Sequence, residues 1–287
     1  MTVLVTGAAG QLGGLTVERL AAMGRQVVAT DRQQLDLTRH ADVMAFVGEV
    51  RPSLIINCAA YNDVEGAEDH HVVAFDANAF AVRSLARAAR EVGATLVHYG
   101  TDFVFDGQAS TPYRESDPPS PQSVYASSKL VGEWFAADAP RYYVLRVESL
   151  FGGPAARSSI DRIIDALLRG EETRVFVDRI VSPSYVEDVA AATEALVAHE
   201  APSGLYHCVN SGYATWYEVA AEIARQAGVS DEVLRPVKVG DLKLRARRPQ
   251  FAALSNEKLR QAGFEMPAWQ DAVRRYLVQR HARRATA

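Results

Sequence analysis

The sequence predicts an α/β fold, a doubly wound parallel sheet with helices on both faces, followed by a smaller C-terminal lobe. Three observations carry this. Short β-branched runs alternate with longer amphipathic stretches through the first half of the chain. Those runs are continuously apolar rather than alternating, as in strands covered by helices on both faces. A glycine-rich turn, "TGAAGQLGG", joins the first run to the first amphipathic stretch.

The elements follow in order. "TVLVT" (2–6) reads as a strand, and "GQLGGLTVERLAAMG" (10–24) as a helix closed by Gly24. "QVVAT" (26–30) is a strand, "RHADVMAFVGEV" (39–50) a helix, and "SLIIN" (53–57) a strand. A long helix runs through "AFAVRSLARAAREVG" (79–93), and "ATLVHYG" (94–100) is the next strand. "SVYASSKLVGEWFAA" (123–137) is a helix and "RYYVLRV" (141–147) a strand. Beyond residue 150 the regularity loosens. A loop at 151–159 precedes a helix at 160–170, a strand at 173–178, a helix at 186–198 and a late strand at 204–209. A helix at 215–228 follows, then a basic loop from 245 that leads into a helical tail. The expected division is a dinucleotide-binding domain over 1–150 and a mainly substrate-binding lobe over 151–287, some of whose segments return to the first domain. In sheets of this Rossmann type, ligands bind outside the carboxyl ends of the strands.

Composition narrows the function. The chain has 287 residues, 48% hydrophobic and 23% charged, with a formal charge of -4. That balance is ordinary for a globular protein and opposes non-specific nucleic-acid binding, which needs a basic surplus. No apolar run reaches the length of a membrane span, and no signal segment precedes the first strand, so a cytoplasmic location is expected. Cys58 and Cys208 are too few for a disulfide framework and have no zinc-ligand spacing, so both are expected to be buried thiols. No repeat or low-complexity segment occurs. The oligomeric state stays open, with a homodimer as one assembly.

Gly7, Gly10 and Gly13 open the first helix, where a tight turn and free N–H groups suit a pyrophosphate. Gln11 and Leu12 lie between them. The second strand ends in "ATDR": Asp31 suits an adenosine ribose, favouring NADH, whereas Arg32 suits a 2′-phosphate, favouring NADPH. Asp36 and Leu37 offer an adenine edge contact and an apolar wall, with loop capping as an equal role for Asp36. Cys58, Ala59 and Ala60 are small residues that let backbone approach a cofactor. Asn78, amid apolar helix neighbours, is expected to bond a neighbouring strand's backbone near the site. Asp63, Glu65 and Glu68 read as acids at a helix start rather than as a metal cluster, and no metal is expected.

The chemical end is marked by Tyr125 and Lys129, four residues apart on one helix face. Thr101 closes the fourth long strand beside them. Hydride addition to a carbonyl leaves negative charge on oxygen and needs a proton donor. A phenol has a pKa of about 10, so a nearby ammonium is expected to lower it. Thr101 would orient the substrate oxygen. Arg179, Arg247 and Arg248 are candidate diphosphate contacts, because guanidinium groups fork phosphate oxygens. Trp216 and Tyr217 read as core.

The glycine turn and "YASSK" resemble the extended short-chain dehydrogenase/reductases. Within that superfamily the chain resembles the dTDP-4-dehydrorhamnose reductase family through "NCAAYNDVEGAE", "HYGTDFVFDG", "PYRESDPPSPQSVYASSKLVGE", "GLYHCVNSGYATW" and "RRPQFAALSNEKL". The resemblance implies NAD(P)H-dependent reduction of the 4-keto group of a nucleotide-diphosphate deoxysugar, with Thr101, Tyr125 and Lys129 as the catalytic set. It implies that Gly10, Gln11, Leu12, Asp31, Asp36, Leu37, Cys58, Ala59, Ala60 and Tyr99 line the cofactor, and that Asp102 and Val104 join Thr101 at the substrate. A non-catalytic cofactor-binding subunit and a nucleotide-sugar epimerase or dehydratase are the alternatives. One departure stands out. Where the family reads Arg-Thr-Ser-Trp-Val-Tyr-Gly, this chain has "RVESLFG", so Ser149 replaces the Trp and Glu148 adds a charge. Losing that ring removes about 1 kcal/mol or more of contact. A different or bulkier sugar is expected, unless Phe151 replaces part of the platform.

Overall fold

Strand β1 (Thr2–Thr6) lies at the centre of the first half of a six-stranded parallel sheet, in a computed structural model that describes residues 2–154 and 157–285. The predicted loop at 151–159 includes Ala155 and Ala156, which lie outside the described residues. After β1 come α1 (Gln11–Ala22), β2 (Gln26–Thr30), α2 (His40–Val50), β3 (Leu54–Asn57), α3 (His71–Phe75) and α4 (Ala81–Val92). They are followed by β4 (Thr95–Thr101), α5 (Val124–Ala136) and β5 (Arg141–Val147). The second half comprises β6 (Leu150–Phe151), α6 (Ser159–Arg169), β7 (Thr173–Phe176), β8 (Ile180–Val181), β9 (Ser184–Tyr185), α7 (Val186–Ala198) and β10 (Gly204–His207). It ends with β11 (Ala214–Thr215), α8 (Trp216–Ala227), β12 (Leu234–Val237), α9 (Glu257–Gln261) and α10 (Trp269–Ala285).

The sheet order is β10-β5-β4-β3-β1-β2, so the chain starts in the middle and winds outward both ways. The late strand β10 returns to pair with β5, Gly204 opposite Tyr143 and His207 opposite Arg146. Helix α7 also returns: Arg19 of α1 bridges to Glu187 and Glu194 of α7. The lobe is held by small two-stranded pieces, β6 with β9, β8 with β11 and β7 with β12.

Apolar strands explain the layers. Leu4, Ile55 and Leu96 face one helical layer with Val43, Val82 and Leu85, while Val3, Val5 and Val97 face the other with Leu12 and Leu15. The helix read over 79–93 begins earlier, at His71, and passes through a π-helical turn at Asp76–Phe80 before α4. Such a turn interrupts regular helical bonding and commonly marks a functional place; here it holds Asn78. Helix α5 starts where Ser123 caps it, its Oγ accepting from Ala126 N at 3.2 Å, a contact of about 1 kcal/mol. Glu68 adds to the same helix start by accepting from Val124 N at 2.9 Å. Trp216 is buried and Tyr217 packs against the core, as expected. Both cysteines are free; Cys208 is fully enclosed, as expected of both, whereas Cys58 is only partly buried, although desolvation still pushes its thiol up to about 12.

Candidate active site

At the carboxyl ends of β1, β2 and β3 lies a cavity of about 310 Å³. Gly7, Gly10, Asp31, Arg32, Asp36, Leu37, Cys58, Ala59 and Ala60 all border it. Gly7 has φ +69, and a Cβ there would stand 2.6 Å from Ala59 N. A Cβ on Gly13 would stand 2.2 Å from the Gly7 carbonyl oxygen. A side chain at Gly7 would collide with the backbone after β3, and one at Gly13 would push α1 away from the turn. Gly10 also leaves the start of α1 without a side-chain cap, so the helix's first N–H groups remain available to an anion. The hollow and the uncapped helix fit the pyrophosphate end of a dinucleotide.

Asp31 Oδ1 accepts from Gln33 N and Gln34 N, and Asp36 Oδ1 accepts from Thr38 N and Oγ1, the capping role that was one of its two expected ones, so each caps its own turn while bordering the cavity. Other residues serve the cavity differently from expectation. Leu12 belongs to the core beneath the turn and not to the cavity wall. Gln11 reaches across instead, its Nε2 donating to the Gly152 carbonyl at 3.0 Å. Tyr99 is also core, its hydroxyl paired with Thr193 at 2.9 Å. Its contribution is its carbonyl, which accepts from Lys129 Nζ at 2.6 Å.

The strand end β4 and helix α5 bring Thr101, Tyr125 and Lys129 together, all three buried. Thr101 donates to Asp102 Oδ1 at 3.1 Å, accepts from Phe103 N at 3.3 Å, and is the neighbour whose hydroxyl favours the Tyr125 phenolate. The Tyr125 ring meets Phe103 edge-on at 5.6 Å. Asn78 ties the set to the strand layer: its Oδ1 accepts from Tyr61 N at 2.8 Å, and its Nδ2 donates to Ser128 Oγ at 3.0 Å. Ser128 in turn donates to the Tyr125 carbonyl at 2.7 Å. The expected backbone bond of Asn78 is present, although its partner is the loop after β3. Ser128 was not anticipated, and a serine one turn below a tyrosine carries no signal of its own.

The phenol's electrostatics reverse the expectation. Burial, and then the Asp102 charge, hold Tyr125 above the usual tyrosine range, with only the Thr101 hydrogen bond favouring the phenolate. Lys129 gives the phenolate no support in the cofactor-free protein: it has itself lost its charge at the pH where so buried a phenol ionises, and its Nζ donates to the Tyr99 carbonyl. Burial instead pushes Lys129 itself down to about 8, against the raising influence of Glu133. A phenol held in its protonated form is the species that donates during reduction.

Lys129 yields a pH prediction for the cofactor-free protein. Its folded value of about 8 lies below the ordinary 10.5, so the unfolded chain binds more protons between those values. Stability therefore rises with pH across that window, and the penalty for burying the charge is fully present below it. Unfolding free energies of the wild type and Lys129→Met, measured from pH 7 to about pH 10.5, are expected to converge as pH rises. A constant difference would contradict this.

A hollow of about 320 Å³ in the lobe is lined by Arg162, Arg174, Arg179 and Arg248, with Phe176 and Trp216. Arg179 is buried, stacks 5.4 Å from the Phe103 ring and donates to the Pro249 carbonyl. Arg248 is present but ion-paired with Glu65 at 2.8 Å, while Arg247 borders a separate hollow. Arg162 and Arg174 were not anticipated, since neither α6 nor β7 marks its arginine by pattern. The acids at 63–68 have separate tasks: Asp63 accepts from Gly66 N, Glu65 pairs with Arg248 and Glu68 anchors α5. Among the described residues no group of acids, histidines and cysteines is arranged to hold a metal.

Two expected substrate residues are not available to a ligand. Val104 is fully buried in a cluster with Phe105, Tyr113, Leu130 and Phe251. Phe151 is likewise enclosed, stacked on Tyr185 at 5.2 Å and against Tyr276 at 5.6 Å, so it cannot replace an aromatic platform. Ser149 is half-buried and takes a left-handed backbone, φ +47. Asp102 lies beside the catalytic set, with Oδ2 buried and unpaired.

A doubly wound sheet, a glycine turn under an uncapped helix and a Tyr–Lys pair facing a threonine together define an extended short-chain dehydrogenase/reductase. The family described as RmlD substrate binding domain matches residues 1–281. The chain belongs to that family, the dTDP-4-dehydrorhamnose reductases. It is 35% identical to a dTDP-4-dehydrorhamnose reductase of Streptomyces griseus, over 94% of this chain and 91% of that protein. It is 37% identical to a probable dTDP-4,6-dihydroxy-2-methyloxan-3-one 4-ketoreductase of Streptomyces antibioticus, over 94% and 92%. The solved dTDP-4-dehydrorhamnose reductase of Bacillus anthracis, in complex with NADP, superposes with a TM-score of 0.92 at 33% identity, covering 97% of this chain and 99% of that one.

Proposed function

We propose that the protein reduces the 4-keto group of a nucleotide-diphosphate deoxysugar, using NADPH or NADH. The observation that carries this is the intact, buried Thr101–Tyr125–Lys129 set, in which Tyr125 packs with Tyr61 of the glycine-turn cavity and Lys129 lies near its Cys58. Gly7, Gly10 and the start of α1 would hold the pyrophosphate. Asp31 and Arg32 both border the adenosine end, so either cofactor finds a partner there. When bound, the reduced nicotinamide supplies a hydride. Tyr125, protonated, hands its proton to the carbonyl oxygen as charge develops there. Thr101 would turn its proton from Asp102 Oδ1 to the same oxygen, and Lys129 is kept in place by the Tyr99 carbonyl. The arginines of the lobe hollow would take the diphosphate in forked contacts, with Phe176 and Trp216 beside the base.

The test is a spectrophotometric assay with a 4-keto dTDP-sugar. A reductase consumes one equivalent of reduced cofactor per sugar. An epimerase gives turnover without net consumption, and a cofactor-binding subunit gives no turnover. The reading also predicts that Ser149→Trp changes which sugar is preferred, since it returns a large ring beside the pocket. Unchanged relative kcat/KM values across a panel of 4-keto nucleotide sugars would contradict it.

A further inference from the structure

Glu65 stands in the acidic stretch after β3, and the reaction above makes no use of it. Its carboxylate reaches across to the basic loop of the lobe. Oε2 accepts from Arg245 N at 2.9 Å and from Ala246 N at 3.4 Å, and Oε1 accepts from Arg248 Nη2 at 2.8 Å. The Arg248 bond is the main reason that this carboxyl is held below the usual carboxylate range. Asp69 pairs with Arg245 beside it. The same loop is pinned again just beyond Arg248. Phe251 N donates to the Gly107 carbonyl at 3.1 Å, and Ile180 N to the Gln250 carbonyl at 2.7 Å. The chain passes so close over Gly107 that a Cβ there would stand 2.5 Å from Gln250 N.

Arg248 thus lies between two fixed points, with its guanidinium held from the loop after β3. A half-exposed ion pair ordinarily contributes little, because two long side chains must be ordered to make it. Here one carboxylate orders the backbone at 245–246 and the guanidinium together, through charge-assisted bonds. Among the described residues Arg248 spends one N–H, on Glu65, which leaves the rest of its fork for a ligand. It borders the hollow that Arg162, Arg174 and Arg179 also line, and it acts on Arg179 as a like charge. Without a counter-charge, that repulsion would favour Arg248 turning out to solvent. We infer that Glu65 is a positioning residue for the substrate: acting through Arg248, it holds that guanidinium at the arginine hollow, so that a nucleotide diphosphate meets it already in place. Such preorganisation lowers the ordering cost of binding. The inference rests on the reading of the hollow as the diphosphate site.

The experiment measures the Kd of dTDP by titration calorimetry for the wild type, Glu65→Ala, Arg248→Ala and the double variant, with NADPH titrated alongside. Arg248→Ala is expected to weaken dTDP about 10- to 100-fold, the range of a hydrogen bond to a charged group. Glu65→Ala is expected to weaken it about 3- to 10-fold, a smaller loss because Arg248 remains but is no longer held. The double variant should match Arg248→Ala alone, since Glu65 then has nothing to position. NADPH affinity should stay at the wild-type value, because Glu65 does not border the glycine-turn cavity. Glu65→Gln keeps an acceptor for the loop N–H groups without the charge, so it should fall between wild type and alanine, and it serves if the alanine variant does not fold. Unchanged dTDP affinity in Glu65→Ala, losses that add in the double variant, or an equal loss for NADPH would each mean that the carboxylate only fastens the loop. The inference then fails while the reductase reading stands on its own assay. Unchanged affinity in Arg248→Ala, or a wild type that binds no dTDP, overturns it as well; if that wild type also gives no turnover, the reductase reading falls with it.

Discussion

Tyr125→Phe is expected to lower kcat by about 10²- to 10⁴-fold, the usual contribution of a positioned general acid. The substitution keeps the ring and its edge-on contact with Phe103, and removes only the hydroxyl that meets Thr101. Cofactor affinity should therefore stay near the wild-type value, because none of the cavity residues around Gly7 and Gly10 is touched. Steady-state kinetics and a fluorescence titration with the reduced cofactor read the two quantities separately. Near-normal turnover would remove Tyr125 as the acid. A matched loss of cofactor binding would point to a distorted helix instead.

Glu133→Ala is expected to destabilise the protein by about 3–5 kcal/mol. Glu133 and Arg146 form a buried, two-pronged ion pair, with contacts of 2.8 and 3.1 Å and side chains only 5% and 3% exposed. Removing the carboxylate leaves a guanidinium enclosed, with its remaining support the face of the Phe105 ring at 4.9 Å. The pair also underlies the site. A Cβ on Gly100 would stand 2.3 Å from Glu133 Oε1, so β4 runs directly over the carboxylate. Gly100 separates Thr101 from Tyr99, whose carbonyl holds Lys129. The exposed pair Arg169–Glu171 supplies the contrast: Glu171→Ala should change stability very little. Denaturant titration of both variants checks this, and comparable small effects would contradict it.

Much of the architecture was legible because parallel strands covered on both faces must be apolar throughout, as β1, β3 and β4 are. Helix α5 was legible, and the four-residue spacing of Tyr125 and Lys129 marked one face of it. The two-residue strands β6, β8, β9 and β11 were not, since so short a segment shows no periodicity. A return of late segments to the first domain was expected, but not that β10 is the one that pairs with β5, across about sixty residues and dependent on the whole sheet. The π-turn around Asn78 hid within a sequence that reads as regular helix.

At the site, residue type pointed to several groups that border the glycine-turn cavity but not to their orientation. Val104 and Phe151 look like pocket walls in the chain and turn inward in space. The direction of the Tyr125 shift was misread for a related reason. Proximity along a helix suggested that Lys129 acts on the phenol, whereas enclosure and Asp102 dominate once the chain is folded. The pairing of Arg146 with Glu133 was likewise invisible, because its partners sit on different elements.

The most direct measurement mixes wild-type protein with excess NADPH and a limiting amount of a 4-keto dTDP-sugar, following nicotinamide absorbance and analysing the sugar by mass. Loss of one equivalent of reduced cofactor per sugar, with a product heavier by two hydrogens, is the predicted result. Sugar recovered with unchanged mass and no cofactor consumed, under conditions where both are shown to bind, would contradict it.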